Sequence, residues 1–105
     1  MSVARINMVD WRSEQLFAEK TKNTDKTMRQ QFPNAEIMLR IKTTPTSVVA
    51  ISIYPSQEKA DDARVELDKR MGGYGDAVKD HWFLEGEVIS AHINEEWLEE
   101  SRKDK

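Results

Sequence analysis

Polar side chains that can bind or deprotonate an organic anion alternate with apolar ones in four short stretches of this chain. They are Arg5, Asn7, Arg40, Ser52, Tyr54, Ser90 and His92. Arginine binds a carboxylate or an enolate through two parallel N–H donors, and amide and hydroxyl groups can orient the same ligand. Histidine is the side chain whose unperturbed pKa lies closest to neutrality, so His92 is the candidate proton acceptor. Together these residue types predict a site for a small anionic ligand.

The four stretches have the period-two pattern and the β-branched composition of strands. The predicted strands are residues 3–9, 36–42, 47–54 and 87–93. Apolar residues that recur every three to four positions predict helices over 12–32 and 57–71. We expect Ser13 and Ser56 to cap these helices, and Gly72-Gly73 to end the second one.

The order of these elements, β-α-β-β-α-β, is that of the ferredoxin-like fold. We therefore expect an α+β domain whose four-stranded antiparallel sheet has the spatial order 4-1-3-2, with both helices on one face. This domain spans residues 1–94, and a helical tail follows over 95–105 with Asn94 as its N-cap. Residues 74–86 are expected to form a connection before the last strand.

The two faces of the predicted sheet differ in polarity. One face is entirely apolar and holds Ala4, Ile6, Met8, Ile37, Leu39, Ile41, Val49, Ile51, Ile53, Ile89, Ala91 and Ile93. We expect this face to lie under the helices. The other face mixes the polar candidates with valine, methionine and alanine, which makes it too apolar for water and too polar for a dry core. We therefore expect a second copy of the chain, or an equivalent cover, to close over the mixed face and enclose a cavity.

Composition excludes several classes of protein. The chain has 105 residues, a net charge of −3 and no cysteine. One domain is expected, the acidic balance argues against nucleic-acid binding, and disulfides and thiolate metal sites are excluded. No apolar stretch approaches the ~20 residues that span a bilayer, so we expect no membrane partner and a cytoplasmic location.

The element order, the length and the two-faced sheet over residues 3–93 resemble the dimeric α/β-barrel superfamily, which includes the antibiotic-biosynthesis monooxygenases. The resemblance implies a homodimer in which two ferredoxin-like subunits pack sheet to sheet, with a cleft in each subunit for a small organic molecule. It also implies that an oxygenase or isomerase reaction, if there is one, proceeds without a cofactor.

The expected ligand is an amphipathic or aromatic acid, such as a fatty acid, because charged groups lie among apolar ones. Arg5 and Arg40 would hold its anionic group, and Asn7, Ser52 and Tyr54 would orient it.

Other interpretations of these residues remain open. Arg5 and Arg40 can instead pair with acidic residues such as Glu36 or Glu87, in a non-catalytic dimer whose polar sheet face is a wet interface. Trp82 can form the rim of the ligand pocket or serve as a packing anchor.

Metal, haem and RNA sites have less support in the sequence. His81 follows Asp80, but the chain has only two histidines and no cluster of carboxylates beside them. Haem-degrading members of the superfamily use a helical histidine, and residues 57–71 contain none. RNA-recognition modules stack bases on aromatic residues of their central strands, where this chain offers only Tyr54.

Overall fold

The computed structural model describes residues 1–97 and residue 99. In chain order the elements are β1 (Val3–Trp11), α1 (Glu14–Thr21), α2 (Thr24–Gln31), β2 (Ile37–Thr44), β3 (Ser47–Tyr54), α3 (Gln57–Tyr74), a 3-10 turn (Gly75–Ala77) and β4 (Val78–Glu87). The strands form one sheet in the order β2-β3-β1-β4, with every neighbouring pair antiparallel. The predicted strand order and the ferredoxin-like α+β fold are confirmed.

The prediction of the last strand is wrong. Residues 78–87 pair with β1, whereas residues 88–94 form no regular element and are mostly exposed. The segment "VKDHWFLEGE" was not predicted as a strand because apolar side chains occur on both of its faces. Its polar and apolar residues therefore do not alternate. One further hydrogen bond, from the Val88 amide to the Ser2 carbonyl at 2.9 Å, extends the ladder past the end of β4.

The helices begin where predicted, but the first is divided in two and the last ends later than predicted. The Leu16 amide donates to Ser13 Oγ at 3.1 Å and the Lys59 amide donates to Ser56 Oγ at 3.2 Å, so both N-caps are confirmed. The first predicted helix is two helices, α1 and α2, interrupted in the stretch with poor helix propensity around Asn23. α3 runs through Gly72-Gly73 to Tyr74, which corrects the predicted end.

Asn94 makes the contacts expected of a helix N-cap. Its Oδ1 accepts from the amides of Glu96 and Trp97, at 2.8 and 3.2 Å. The rest of the predicted tail, residues 98 and 100–105, lies outside the described residues.

The assignment of the two sheet faces is also wrong. The helices pack on the mixed face, where Val3 and Tyr54 form the buried core with Phe32, Ala60 and Ala63. The apolar face is uncovered, and its side chains are half-buried or exposed. Paired positions share a face, so the β4 residues opposite Ile6 and Met8, which are Leu84 and Trp82, lie there too. Ile89, Ala91 and Ile93 were predicted for this face but lie in the segment after β4. Trp82 and Leu84 of β4 occupy the face instead.

The backbone at the end of α3 requires a glycine at position 75. Gly75 has φ +55° and ψ −133°, a conformation that residues with a Cβ rarely adopt, whereas Gly72 is helical. We expect Gly75→Ala to lower the free energy of unfolding by about 1–3 kcal/mol. Gly72→Ala is the matched control, since a Cβ there meets nothing within 4 Å, and it should raise the same quantity by up to about 1 kcal/mol. Urea denaturation of both variants measures these changes, and an equal effect at the two positions would contradict the assigned helix end.

Candidate functional site

A cavity lies between the mixed face of the sheet and the helices, and it has a free volume of about 80 Å³. Its wall is largely apolar and aromatic, with a few polar groups from the strands. The lining residues are Arg5, Asn7, Val9, Trp11, Thr21, Thr24, Met28, Phe32, Met38, Arg40, Val48, Ala50, Ser52, Tyr54, Leu67, Arg70, Met71 and Tyr74. Five of the predicted site residues, Arg5, Asn7, Arg40, Ser52 and Tyr54, are therefore brought together, although the cover is helical.

Arg5 is the most deeply buried charged residue, with 1% of its surface exposed. Its Nη2 lies 3.1 Å from Glu85 Oε2 and 2.6 Å from the Ala60 carbonyl oxygen, and its Nε lies 3.3 Å from Glu85 Oε2. The alternative in which Arg5 pairs with an acid is thus correct in kind, but the partner is Glu85 on the neighbouring strand. The guanidinium carbon also lies 5.6 Å from the centre of the Tyr54 ring.

Tyr54 is 2% exposed, and its hydroxyl interacts with Ser52. Burial raises the pKa of the Tyr54 phenol, while the hydrogen bond with Ser52 and the charge of Arg5 oppose that shift. The phenol is therefore protonated at neutral pH and available as a hydrogen-bonding group.

Asn7 carries the main unsatisfied polar atom of the cavity wall. The residue is 7% exposed, and its Oδ1 has no hydrogen-bond partner among the described residues. Leaving a buried acceptor unpaired costs about 1–3 kcal/mol. A ligand with a hydroxyl or N–H donor would recover that energy.

Two predicted site residues lie elsewhere. Trp82 is on the apolar face of the sheet, which no helix covers and which we call the open face. It lies opposite Met8, and 44% of its surface is exposed. His92 is exposed in the segment after β4 and is not among the residues that line the cavity. Ser90 lies in the same segment, so the true position of β4 removes both from the sheet.

The helical half of the cavity wall was missed by sequence reasoning. Met28 and Phe32 on α2 and Leu67 and Met71 on α3 contribute to it. The signal was present in the helical spacing of these four residues, but the predicted apolar face of the sheet was expected to receive them.

His81 is a half-buried polar residue outside the cavity. It lies opposite Val9 on the helix side of β4, with its ring centre 6.5 Å from that of Phe83, and its Nε2 has no hydrogen-bond partner among the described residues. Burial lowers the pKa of His81, against the raising effect of Asp68 and Asp80. The described residues contain no group of three or more potential metal ligands.

Several solved structures share this architecture. A dimeric ferredoxin-like protein from an uncultured marine organism has 15% sequence identity and a TM-score of 0.72, over 89% of this chain and 92% of that one. A Caulobacter crescentus protein described as a candidate antibiotic biosynthesis monooxygenase has 9% identity and a TM-score of 0.68, over 85% and 91%. SnoaB, a cofactor-independent oxygenase from Streptomyces nogalater solved as a mutant, has 14% identity and a TM-score of 0.62, over 86% and 95%.

No family model matches the chain, and no curated protein matches its sequence. At the identities above, the structural likeness establishes the fold. The resemblance to dimeric ferredoxin-like and monooxygenase-like proteins is confirmed at that level. Within the described residues, no helix is long and apolar enough to cross a membrane.

The burial of His81 predicts a specific acid sensitivity. Its pKa in the folded protein lies below the ordinary value of 6.5, so the stability it confers is present above that pH. This stability is lost as the pH falls through the lower, folded-state pKa. We expect His81→Phe, which cannot titrate, to flatten the fall in the free energy of unfolding below about pH 6.5.

The matched control is His92→Phe, because His92 is exposed. Urea denaturation at a series of pH values measures the effect. Parallel pH profiles for the wild type and His81→Phe would contradict the assignment of a neutral, buried imidazole.

Proposed function

We propose that this protein binds a small molecule with an apolar, ring-like body and a hydroxyl group in the cavity between its sheet and its helices. The observation that carries the proposal is the Oδ1 of buried Asn7 on the cavity wall, which has no hydrogen-bond partner in the described part of the chain. A purely structural position would favour an apolar residue here, because burying an unpaired amide opposes folding. A ligand hydroxyl supplies the missing donor.

The shape and chemistry of the cavity support a compact aromatic body. An engineered apolar cavity of roughly 150 Å³ binds benzene, so a free volume of about 80 Å³ admits part of a ring before the walls adjust. Trp11, Phe32 and Tyr74 line the cavity with flat aromatic surfaces, and Met28 and Met71 are flexible side chains that can move to accommodate a guest.

The polar strand residues have different roles in this proposal. Arg5 is occupied by Glu85 and the Ala60 carbonyl, so it positions the wall and holds Tyr54 rather than binding the ligand's anionic group. Arg40, Ser52 and Tyr54 line the cavity and would orient the polar end of the ligand beside Asn7. The proposal is binding, and the described residues that line the cavity include no histidine or carboxylate that could accept a proton.

A second candidate function is cofactor-independent oxygenation of such a hydroxylated aromatic ligand. It is supported by the likeness to SnoaB, which is described as an oxygenase of that kind. In this chain the apolar wall would exclude water from the ligand, and the protonated Tyr54 hydroxyl would stabilise negative charge on its oxygen. Consumption of oxygen on addition of a bound ligand separates this candidate from binding alone.

We further propose that the open face of the sheet packs against a second copy of the chain. Exposed Ile41, Trp82 and Leu84 lie on that face together with half-buried residues of β1, β2 and β3. A continuous apolar sheet face of this kind is unusual on a monomer. The dimeric ferredoxin-like neighbour supports the same arrangement. The partner thus covers the apolar face, whereas the cavity faces outward under the helices.

Replacing Asn7 should separate binding from stability. We expect Asn7→Leu to weaken the binding of phenol by about tenfold relative to toluene, because the hydroxyl loses its acceptor. The same change should raise the free energy of unfolding by about 1–2 kcal/mol, because an unpaired buried amide is removed. NMR titration with the two probes and urea denaturation measure these quantities.

Asn34→Leu is the control, since Asn34 is an exposed amide outside the cavity, and it should leave phenol affinity unchanged. If Asn7→Leu destabilised the fold and left phenol binding intact, Asn7 would be a structural residue. If the wild type bound neither probe, the proposed function would be wrong.

A charge on the open face should dissociate the dimer. Leu84→Lys places one ammonium group from each protomer in an apolar, two-fold interface. Each ammonium group is expected to weaken dimer affinity by roughly a factor of ten or more. We expect the dissociation constant from sedimentation velocity to rise by at least about 100-fold. Val65→Lys, on the exposed surface of α3, is the control and should leave it unchanged. A wild-type chain that sediments as a monomer would refute the dimer.

A further inference from the structure

A wider groove between α1, α2 and α3 adjoins the cavity. The groove has a free volume of about 480 Å³, and it shares Thr24, Arg70 and Tyr74 with the cavity wall. These three residues therefore stand at the boundary between the two spaces. A ligand whose body lies in the cavity can therefore reach the side chain of Arg70, which lines both spaces.

The groove is a local concentration of positive charge on an acidic protein. Its charged lining residues are Lys20, Lys22, Lys69 and Arg70 against Glu19 and Glu66. Lys69 Nζ lies 3.6 Å from Glu66 Oε1, so this pair is internally neutralised. The other charged residues of the groove carry a net positive charge, although the whole chain carries a net charge of −3. Such a patch attracts anions to this mouth of the cavity.

Arg70 is held in place by uncharged groups. Its Nη2 donates to Thr27 Oγ1 at 3.2 Å and to Gln31 Oε1, and its guanidinium carbon lies 5.7 Å from the centre of the Phe32 ring. No carboxylate of the described residues lies within ion-pair distance of it. Arg5 differs in this respect, because Glu85 compensates its charge.

We propose that Arg70 binds a carboxylate of the ligand at the mouth of the cavity, while the ligand's apolar body lies inside; this inference rests on the proposed function. The hydrogen bonds that Arg70 donates to Thr27 and Gln31, together with the Phe32 ring, fix the guanidinium in advance, so little side-chain freedom is lost on binding. The ligand class is an aromatic acid with a hydroxyl at one end and a carboxylate at the other. Arg70 thus takes the anion-binding role that was predicted for Arg5 and Arg40.

The test uses para-hydroxyphenyl alkanoic acids of increasing chain length and their primary amides, with affinities measured by isothermal titration calorimetry. The acid and the amide have the same shape, so their affinity ratio isolates the contribution of the charge. We expect one acid to bind the wild type at least about tenfold more tightly than its amide, with a ratio that falls as salt is added.

Arg70→Gln should reduce that ratio to near one while leaving the affinity for the amide in place. Arg29→Gln, on the exposed surface of α2 and outside both spaces, is the control with the same change in charge and should keep the ratio. Arg70→Lys keeps the charge but loses the planar fork, and it should retain part of the preference.

The outcomes separate this inference from the proposed function. If the amide binds and the acid has no advantage, or if the advantage survives in both Arg70 variants, the role of Arg70 is wrong and the proposed function stands. If neither the acids, the amides nor phenol binds the wild type, both are wrong.

Discussion

The burial of the Arg5 guanidinium is the constraint around which this structure is arranged. A charged group that is 1% exposed destabilises the fold by several kcal/mol unless ionic and hydrogen-bonding partners surround it. Glu85 supplies the charge from β4, Ala60 supplies a carbonyl from α3, and Tyr54 supplies a ring from β3. Glu85 is held in turn by Gln57 at the start of α3. The contacts of one side chain thus join three strands and a helix, and they fix the mixed face of the sheet beneath α3.

Much of the fold could be predicted from the sequence, because strand order follows from element order and the handedness of crossovers. The location of β4 could not, since Phe83 packs toward the helices while Trp82 and Leu84 face the open side, which erases the alternation. The face beneath the helices could not be chosen either. Hydrophobicity indicates that a face is covered but not whether a helix or another subunit covers it. Small residues on α3 determine that the helix covers the mixed face. Ala60 and Ala63 let α3 approach the sheet closely enough for Arg5 to reach a backbone carbonyl.

The candidate site, like the fold, could be predicted from the sequence only in part. Five strand residues of the predicted site line one cavity, because positions two apart on a strand, and opposite positions on paired strands, point the same way. Their partners could not be predicted: Glu85 was expected in a connection, and the unpaired Oδ1 of Asn7 depends on what its neighbours fail to offer. His92 was expected in the site because the segment 88–93 has a strand-like alternation without strand partners. No sequence pattern singles out Arg70, since an arginine on a helix resembles any other solvated surface residue.

Placing the cavity under the helices has a consequence for how a dimer would respond to its ligand. With the open faces in contact, two sheets about 10 Å apart would separate the two cavities, and each would face away from the molecular two-fold axis. A guest in one protomer would displace α2 and α3 toward solvent rather than toward the partner. The two protomers would then fill independently, with a hyperbolic saturation curve, a Hill coefficient of about one and no half-occupied intermediate of special stability.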